Sequence, residues 1–172
     1  MNKKLIAVIS VIPIAIALII IAVLLSKNNN TLESKIKSGA VEQDITEDVS
    51  YKAAEGNYSV KIVTVYETEP DTDETSPPEA ERVVVVVYEY TNSDMENGLV
   101  ISDSHFKAFD KDGNELEVYP QKNLFEPGEI GAEGTHTASV AYAFNNAENY
   151  IEIDYYNDIS SETPDSVFTK DF

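Results

Sequence analysis

Residues 82–91 read RVVVVVYEYT, a run in which apolar side chains fill both alternating sets of positions. Five consecutive β-branched residues crowd a helix and suit a pleated strand. Successive strand side chains point to opposite faces, so Val83, Val85 and Val87 share one side and Val84, Val86, Tyr88 and Tyr90 the other. A strand apolar on both faces has to be covered on both. One face belongs to a core between two sheets. The second set, Val84 to Tyr90, then forms an exposed apolar patch unless the preceding stalk or a neighbouring loop lies over it.

Working outward, the flanking segments alternate with a period of two, which predicts strands. Upstream, Tyr58, Val60, Ile62, Thr64 and Tyr66 form an apolar face against Ser59, Lys61, Val63 and Val65. Downstream, Phe106 and Ala108 alternate with His105, Lys107 and Phe109, and Leu116 and Val118 alternate with Glu115, Glu117 and Tyr119. Between them, Asp110-Lys111-Asp112-Gly113-Asn114 predicts a hairpin turn, because glycine accepts the positive φ required there. Ala138, Val140, Tyr142 and Phe144 line one face of the next strand, opposed by Thr137, Ser139, Ala141 and Ala143. Ile151, Ile153 and Tyr155 alternate with Glu152, Asp154 and Tyr156, predicting a half-buried strand with an acidic outer face, and residues 167–172 predict a closing edge strand.

The connections carry turn chemistry. Residues 67–81, ETEPDTDETSPPEAE, combine many carboxylates with three prolines and lack a large aliphatic side chain, which predicts an exposed mobile loop. Residues 92–98 predict a turn, and residues 120–134 a second loop built around Pro127-Gly128. Six or seven short strands at this spacing, without a helix among them, predict an all-β antiparallel β-sandwich over residues 57–172.

Ahead of this domain lies a different solvent problem. Residues 5–25, LIAVISVIPIAIALIIIAVLL, are 21 residues without a charge, long enough at about 1.5 Å per residue to cross bilayer hydrocarbon. The run exceeds the apolar core of a cleaved signal peptide, and its exit, Val23-Leu24-Leu25-Ser26, offers leucine where cleavage wants a small residue. The reading is a retained transmembrane signal anchor, with residues 1–4 as a cytoplasmic leader. Residues 26–56 mix charges with scattered Ile36, Val41 and Ile45, which predicts a stalk with a helical stretch over residues 31–40. Lys3 and Lys4 favour a cytoplasmic N-terminus. Lys27, Lys35 and Lys37 pull the other way, so a cytoplasmic domain is the alternative to the expected single-pass membrane protein with its C-terminal domain extracytoplasmic.

Charge narrows the partners. All 31 acidic residues follow the anchor and two of the 12 basic ones precede it, so the remainder carries 10 − 31 = −21. That field repels nucleic acid and anionic headgroups. The absence of cysteine excludes disulfides, thiol chemistry and lipid attachment through a lipobox.

Few constellations point to chemistry. Ser102-Asp103-Ser104-His105 holds the residue types of a nucleophilic centre, but neighbours in a strand face opposite ways. His105 and His136 are the only imidazoles, and no spacing supplies the third ligand of a zinc site. Asp110, Asp112 and Asn114 match the opening of a calcium loop, since hard cations take carboxylate and carbonyl oxygens, yet the distant bidentate glutamate is missing and turn chemistry also accounts for them. These three are the candidate calcium ligands; no other cofactor is expected. Carboxylate pairs for glycoside hydrolysis require a groove, for which Tyr119, Tyr150 and Tyr156 are the candidate lining.

The strand ending Tyr88-Glu89-Tyr90-Thr91-Asn92, the segment Phe109 to Glu117, the Pro127-Gly128 turn and Ala141-Tyr142-Ala143-Phe144 together resemble the immunoglobulin-like domains of Gram-positive envelope proteins, similar to the immunoprotective extracellular protein superfamily. The resemblance spans about residues 57–172 and implies an immunoglobulin-like sandwich outside the cell, with no catalytic residue to carry over. Many members are anchored as lipoproteins, whereas this chain has no cysteine and so implies a protein anchor. The expected function is non-enzymatic binding or scaffolding of an envelope or extracellular protein. The alternatives are a sensor of cations or partners through the acidic loops, and an envelope hydrolase.

Overall fold

The computed structural model describes residues 41–43, 49–53 and 55–172; the expected leader, the anchor over residues 5–25 and the helical stretch over residues 31–40 lie outside the described residues. Among the described residues there are eight strands: β1 Val41–Gln43, β2 Val49–Ala53, β3 Gly56–Thr68, β4 Arg82–Asn92, β5 Phe106–Phe109, β6 Thr135–Phe144, β7 Tyr150–Tyr155 and β8 Ser166–Asp171. They form two four-stranded sheets, ordered β2-β3-β4-β6 and β1-β8-β7-β5, packed as a β-sandwich. All pairings are antiparallel except β1 with β8, which is parallel.

β4 lies inside its sheet, between β3 and β6. Val84, Val86, Tyr88 and Tyr90 face the opposite sheet in one core cluster with Val60, Ile62, Ala138, Val140, Tyr142, Phe144, Ile151, Ile153, Tyr155 and Phe168. Each fully buried aliphatic or aromatic side chain here contributes about 1.5–3 kcal/mol of transfer free energy. The face that needs a separate cover is the other one: Val83, Val85 and Val87 cluster with Tyr119, Ala141 and Ala143, and Ala80 and Leu124 pack on them. A neighbouring loop supplies the cover, on the opposite face from the one expected to need it.

Several sequence expectations change. Two strands fall within residues 26–56, the stretch read as stalk. β2 belongs to the sandwich, with Tyr51 buried and Val49 and Ala53 packed on the core. In β3 the register shifts between Ile62 and Thr64. The bulge turns Val65 inward and leaves Thr64 and Tyr66 outside, reversing the alternation read from residues 58–66. β8 is not an edge, because β1 pairs along its other side. Glu152 and Asp154 are buried, not the solvated face expected of β7.

The hairpin after β5 is only half formed. The Asp110–Asn114 turn is present with Gly113 at φ 82°, and Leu116 N–H donates to Ala108 O at 2.8 Å. The return chain then leaves β5 and crosses to the other sheet, where Tyr119 N–H donates to Ala141 O at 2.8 Å and Ala143 N–H to Glu117 O at 2.9 Å. With the segment bonded to β6, Tyr119 is buried and Val118 exposed, the reverse of the predicted faces.

Tyrosine hydroxyls tie the sheets together. Tyr51 Oη donates to Ser166 Oγ at 2.8 Å, and the Tyr58 and Tyr155 hydroxyls meet at 2.9 Å. At the start of β4, Arg82 pairs with Glu67 at 2.7 Å and lies over the Phe144 and Phe172 rings.

Candidate functional site

The loops covering β4 and β6 build the site. Residues 67–81, expected to be an exposed mobile loop, start as the end of β3 and are then held down. Asp71 N–H donates to Gln121 Oε1 at 2.8 Å, Lys122 N–H donates to Asp71 O at 2.9 Å, and Gln121 Nε2 donates to Glu69 O at 3.2 Å. Lys122 Nζ ion-pairs with Asp71 at 3.0 Å and Asp73 at 3.1 Å. Hydrogen bonds to Asp71 and then Asp73 push the Lys122 ammonium above its usual value. Further along, Asn145 Nδ2 donates to Glu79 O at 2.9 Å.

The second loop is pinned from below. Phe125 and Ser139 exchange two bonds, Phe125 N–H to Ser139 Oγ at 2.8 Å and Ser139 N–H to Phe125 O at 2.9 Å. The Tyr90 hydroxyl accepts from Gly128 N–H at 2.9 Å and donates to Gly128 O. His136 Nε2 reaches Glu126 O at 2.9 Å. The His136 ring stands close enough that a Cβ at Gly128 would lie 3.1 Å from it, so a larger residue in this turn would require the ring to shift.

Between these two loops an open cleft of about 660 Å³ remains on the outer side of β6. Val118, Tyr119, Leu124, Pro77 and Pro78 give it an apolar lining, and Glu74, Asp103 and Glu126 stand in its wall. Val118 and Phe125 are 47% and 58% exposed, large values for apolar side chains beside a groove. A second groove of about 420 Å³, at the other end of the 115–119 crossing, carries Glu79, Asp110, Asp112, Glu115 and Glu117.

The candidate calcium residues fall in this second groove. Asp110 is buried and its carboxylate accepts four hydrogen bonds: from Asp112 N–H at 3.0 Å, Asn114 N–H at 2.8 Å, Asn114 Nδ2 at 2.9 Å and Asn146 Nδ2 at 3.2 Å. Asn114 thus turns its amide donor, not its oxygen, toward Asp110, and Asp112 stands exposed. The arrangement is that of an Asx-type turn. Among the described residues, no group of three or more His, Cys, Asp or Glu side chains is placed to hold a metal ion.

Ser102 to His105 fold as a 3₁₀ turn, Asp103–His105, instead of the expected strand start. This brings Ser102 Oγ within 3.4 Å of His105 Nδ1, but that nitrogen also accepts from Ser102 N–H at 3.3 Å. Asp103 caps Ser104 N–H at 2.8 Å and does not orient the imidazole. Burial lowers the His105 pKa, and the ring stacks on Tyr155 at 6.3 Å. His136 packs on Tyr90 instead, 5.5 Å between centroids, so the two imidazoles serve separate contacts. The three tyrosines considered as a sugar-binding lining are likewise dispersed. Tyr119 lines the large cleft, whereas Tyr150 and Tyr156 belong to the β7 segment of the other sheet, with Lys107 Nζ 5.6 Å from the Tyr156 ring centre.

Sequence reasoning missed the cleft residues Pro77, Pro78, Val118 and Leu124. The available signal was the two-faced valine run, which requires a cover, together with the prolines and isolated apolar residues of the two nearby loops.

No known family pattern matches the chain, and no curated protein matches it either. Solved structures do share its fold. The secreted protein MPT63 of Mycobacterium tuberculosis superposes with a TM-score of 0.61 at 9% identity, over 76% of this chain and 98% of that one. The Bacillus subtilis protein ycdA, assigned as a lipoprotein, superposes with a TM-score of 0.55 at 15% identity, over 73% of this chain and 38% of that one.

Proposed function

We propose that this chain is a membrane-anchored, extracytoplasmic immunoglobulin-like module that binds a protein partner at the cell envelope and catalyses no reaction. The observation that carries the reading is the cleft between the proline-bearing loops. It is open to solvent, lined by apolar side chains with carboxylates standing in its wall, and bounded by loops that hydrogen bonds hold in place. The location of the two structural neighbours, one secreted and one assigned as a lipoprotein, supports a domain beyond the membrane. The uncharged run at residues 5–25 supports a protein anchor. The dispersed tyrosines and a His105 held by Ser102 and Tyr155 instead of by Asp103 support binding over hydrolysis.

Protease added to intact cells tests the arrangement, combined with a pull-down of envelope proteins by the full-length chain. The domain is expected to be digested from outside, and a defined partner to be retained and lost on Leu124→Ser. A protease-resistant domain in intact cells overturns the orientation, and turnover of an envelope substrate by the purified chain overturns the non-enzymatic role.

A further inference from the structure

Resting on that reading, we propose that the cleft takes an extended peptide segment of the partner in which a prolyl or leucyl side chain is flanked by lysine or arginine. The lining sets the first half of this specificity. Val118, Leu124, Pro77 and Pro78 offer contact area without hydrogen-bonding groups, and prolyl rings stack well on such surfaces at small entropic cost.

Charge sets the second half. Glu74, Asp103 and Glu126 lie in the cleft wall, and no lysine or arginine lines it. The neighbouring Lys122 ammonium is already held by Asp71 and Asp73. An anionic ligand therefore finds no counter-charge, and a cationic one finds several within a Debye length of about 8 Å. The second groove, reached across the 115–119 crossing, continues the same sign through Glu79, Glu115 and Glu117, so a segment running along this side of the domain meets carboxylates beyond the cleft as well.

The backbone decides how the peptide docks. Along the free side of β6, Ser139 N–H, Ala141 O and Ala143 N–H are already paired with Phe125, Tyr119 and Glu117. The segment cannot extend the sheet there and is read by its side chains.

Fluorescence anisotropy on the full-length chain in nanodiscs of neutral lipid tests the proposal with three labelled peptides: Gly-Lys-Pro-Leu-Lys-Gly, the same peptide with both lysines replaced by glutamate, and the same peptide with Pro-Leu replaced by Gly-Ser. The first is expected to bind, the glutamate form to show no binding, and the Gly-Ser form to bind about tenfold more weakly. Leu124→Ser and Val118→Ser are expected to weaken the first peptide about tenfold and leave the Gly-Ser form unchanged. The half-exposed Val118 keeps that test independent of folding. Glu126→Gln is expected to weaken both lysine peptides severalfold and to flatten their salt dependence. Equal binding of the two lysine peptides, unmoved by either serine variant, shows attraction to net charge alone and overturns the proposal. Failure of the first peptide while the envelope pull-down succeeds overturns the cleft's ligand class only; failure of both overturns the binding-module reading too.

Discussion

The two faces of β4 are nearly indistinguishable in sequence, valine following valine, yet the fold uses them for different ends. On the inner side, Val84, Val86, Tyr88 and Tyr90 meet a second sheet whose backbone is itself hydrogen-bonded into a ladder. On the outer side, Val83, Val85 and Val87 meet an irregular cover of Ala80, Tyr119 and Leu124, held by individual side-chain and loop hydrogen bonds. Sheet against sheet buries its side chains fully, because regular surfaces interdigitate at crystal-like density. Loop against sheet leaves a cleft beside the buried valines. The regular sheet-on-sheet core lies on one side of the strand and the candidate binding surface on the other.

Alkali breaks the inner side first and gives the largest effect. Tyr51, Tyr58, Tyr88, Tyr142 and Tyr155 all sit in the inner cluster, and burial raises each hydroxyl above its ordinary value, for Tyr58 to about 12. The raised values mean that the folded chain keeps protons the unfolded chain releases. This stabilisation is complete below about pH 10 and is lost as pH rises through the folded values. The tyrosinate absorbance of these five is expected to rise together with loss of β-sheet circular dichroism, in one cooperative step beginning above about pH 10. Hydroxyls that ionise gradually near pH 10 in an intact fold would show that water reaches the inner side.

A pair of alanine substitutions sharpens the contrast. Ile153→Ala removes a fully buried side chain between the sheets and is expected to cost about 2–5 kcal/mol in denaturant unfolding. Leu124→Ala, at a half-buried position on the loop cover, is expected to cost about 1–2 kcal/mol. The second measurement is hydrogen exchange. Ile153→Ala is expected to accelerate exchange throughout both sheets, whereas Leu124→Ala accelerates it in residues 117–127 and 69–80 and leaves β3, β4 and β7 protected. Equal, global acceleration by both would mean that the cover and the core open as one unit.

How much of this the sequence disclosed depends on the kind of residue. The inward faces of β6 and β7 were legible because Ala138 to Phe144 and Ile151 to Tyr155 alternate without interruption. The face of β3 was legible only as far as Ile62, because one extra residue at the bulge inverts everything after it and nothing in Ile62-Val63-Thr64 announces the insertion. β2 was hidden for another reason. Val49-Ser50-Tyr51-Lys52-Ala53 alternates correctly, but it adjoins a charge-mixed stretch whose composition suggested a stalk. The cleft was the least legible part, because Pro77, Leu124 and Val118 come from separate loops and meet only through Gln121, Ser139 and Tyr90, whose hydrogen bonds no local pattern encodes. Asp110 and Asn114 were picked out by residue type, and the structure places them in one turn, bonded to each other.

The smallest expected effect tests the inner side from within, by removing single oxygen atoms. Tyr88 and Tyr142 are both fully buried in the same cluster. The Tyr88 hydroxyl donates to Ile101 O at 2.9 Å, whereas the Tyr142 hydroxyl has no hydrogen-bond partner among the described residues. Tyr88→Phe leaves a buried carbonyl without its donor and is expected to cost about 1–3 kcal/mol. Tyr142→Phe removes a polar group that already bears its desolvation cost uncompensated, so it is expected to change stability by less than about 0.5 kcal/mol or to raise it. Denaturant midpoints of the two variants, measured side by side, separate the cases. A loss at Tyr142 as large as at Tyr88 would show that the Tyr142 hydroxyl is bonded in solution, adding one more polar contact to those that Tyr51, Tyr58 and Tyr88 make on the inner side.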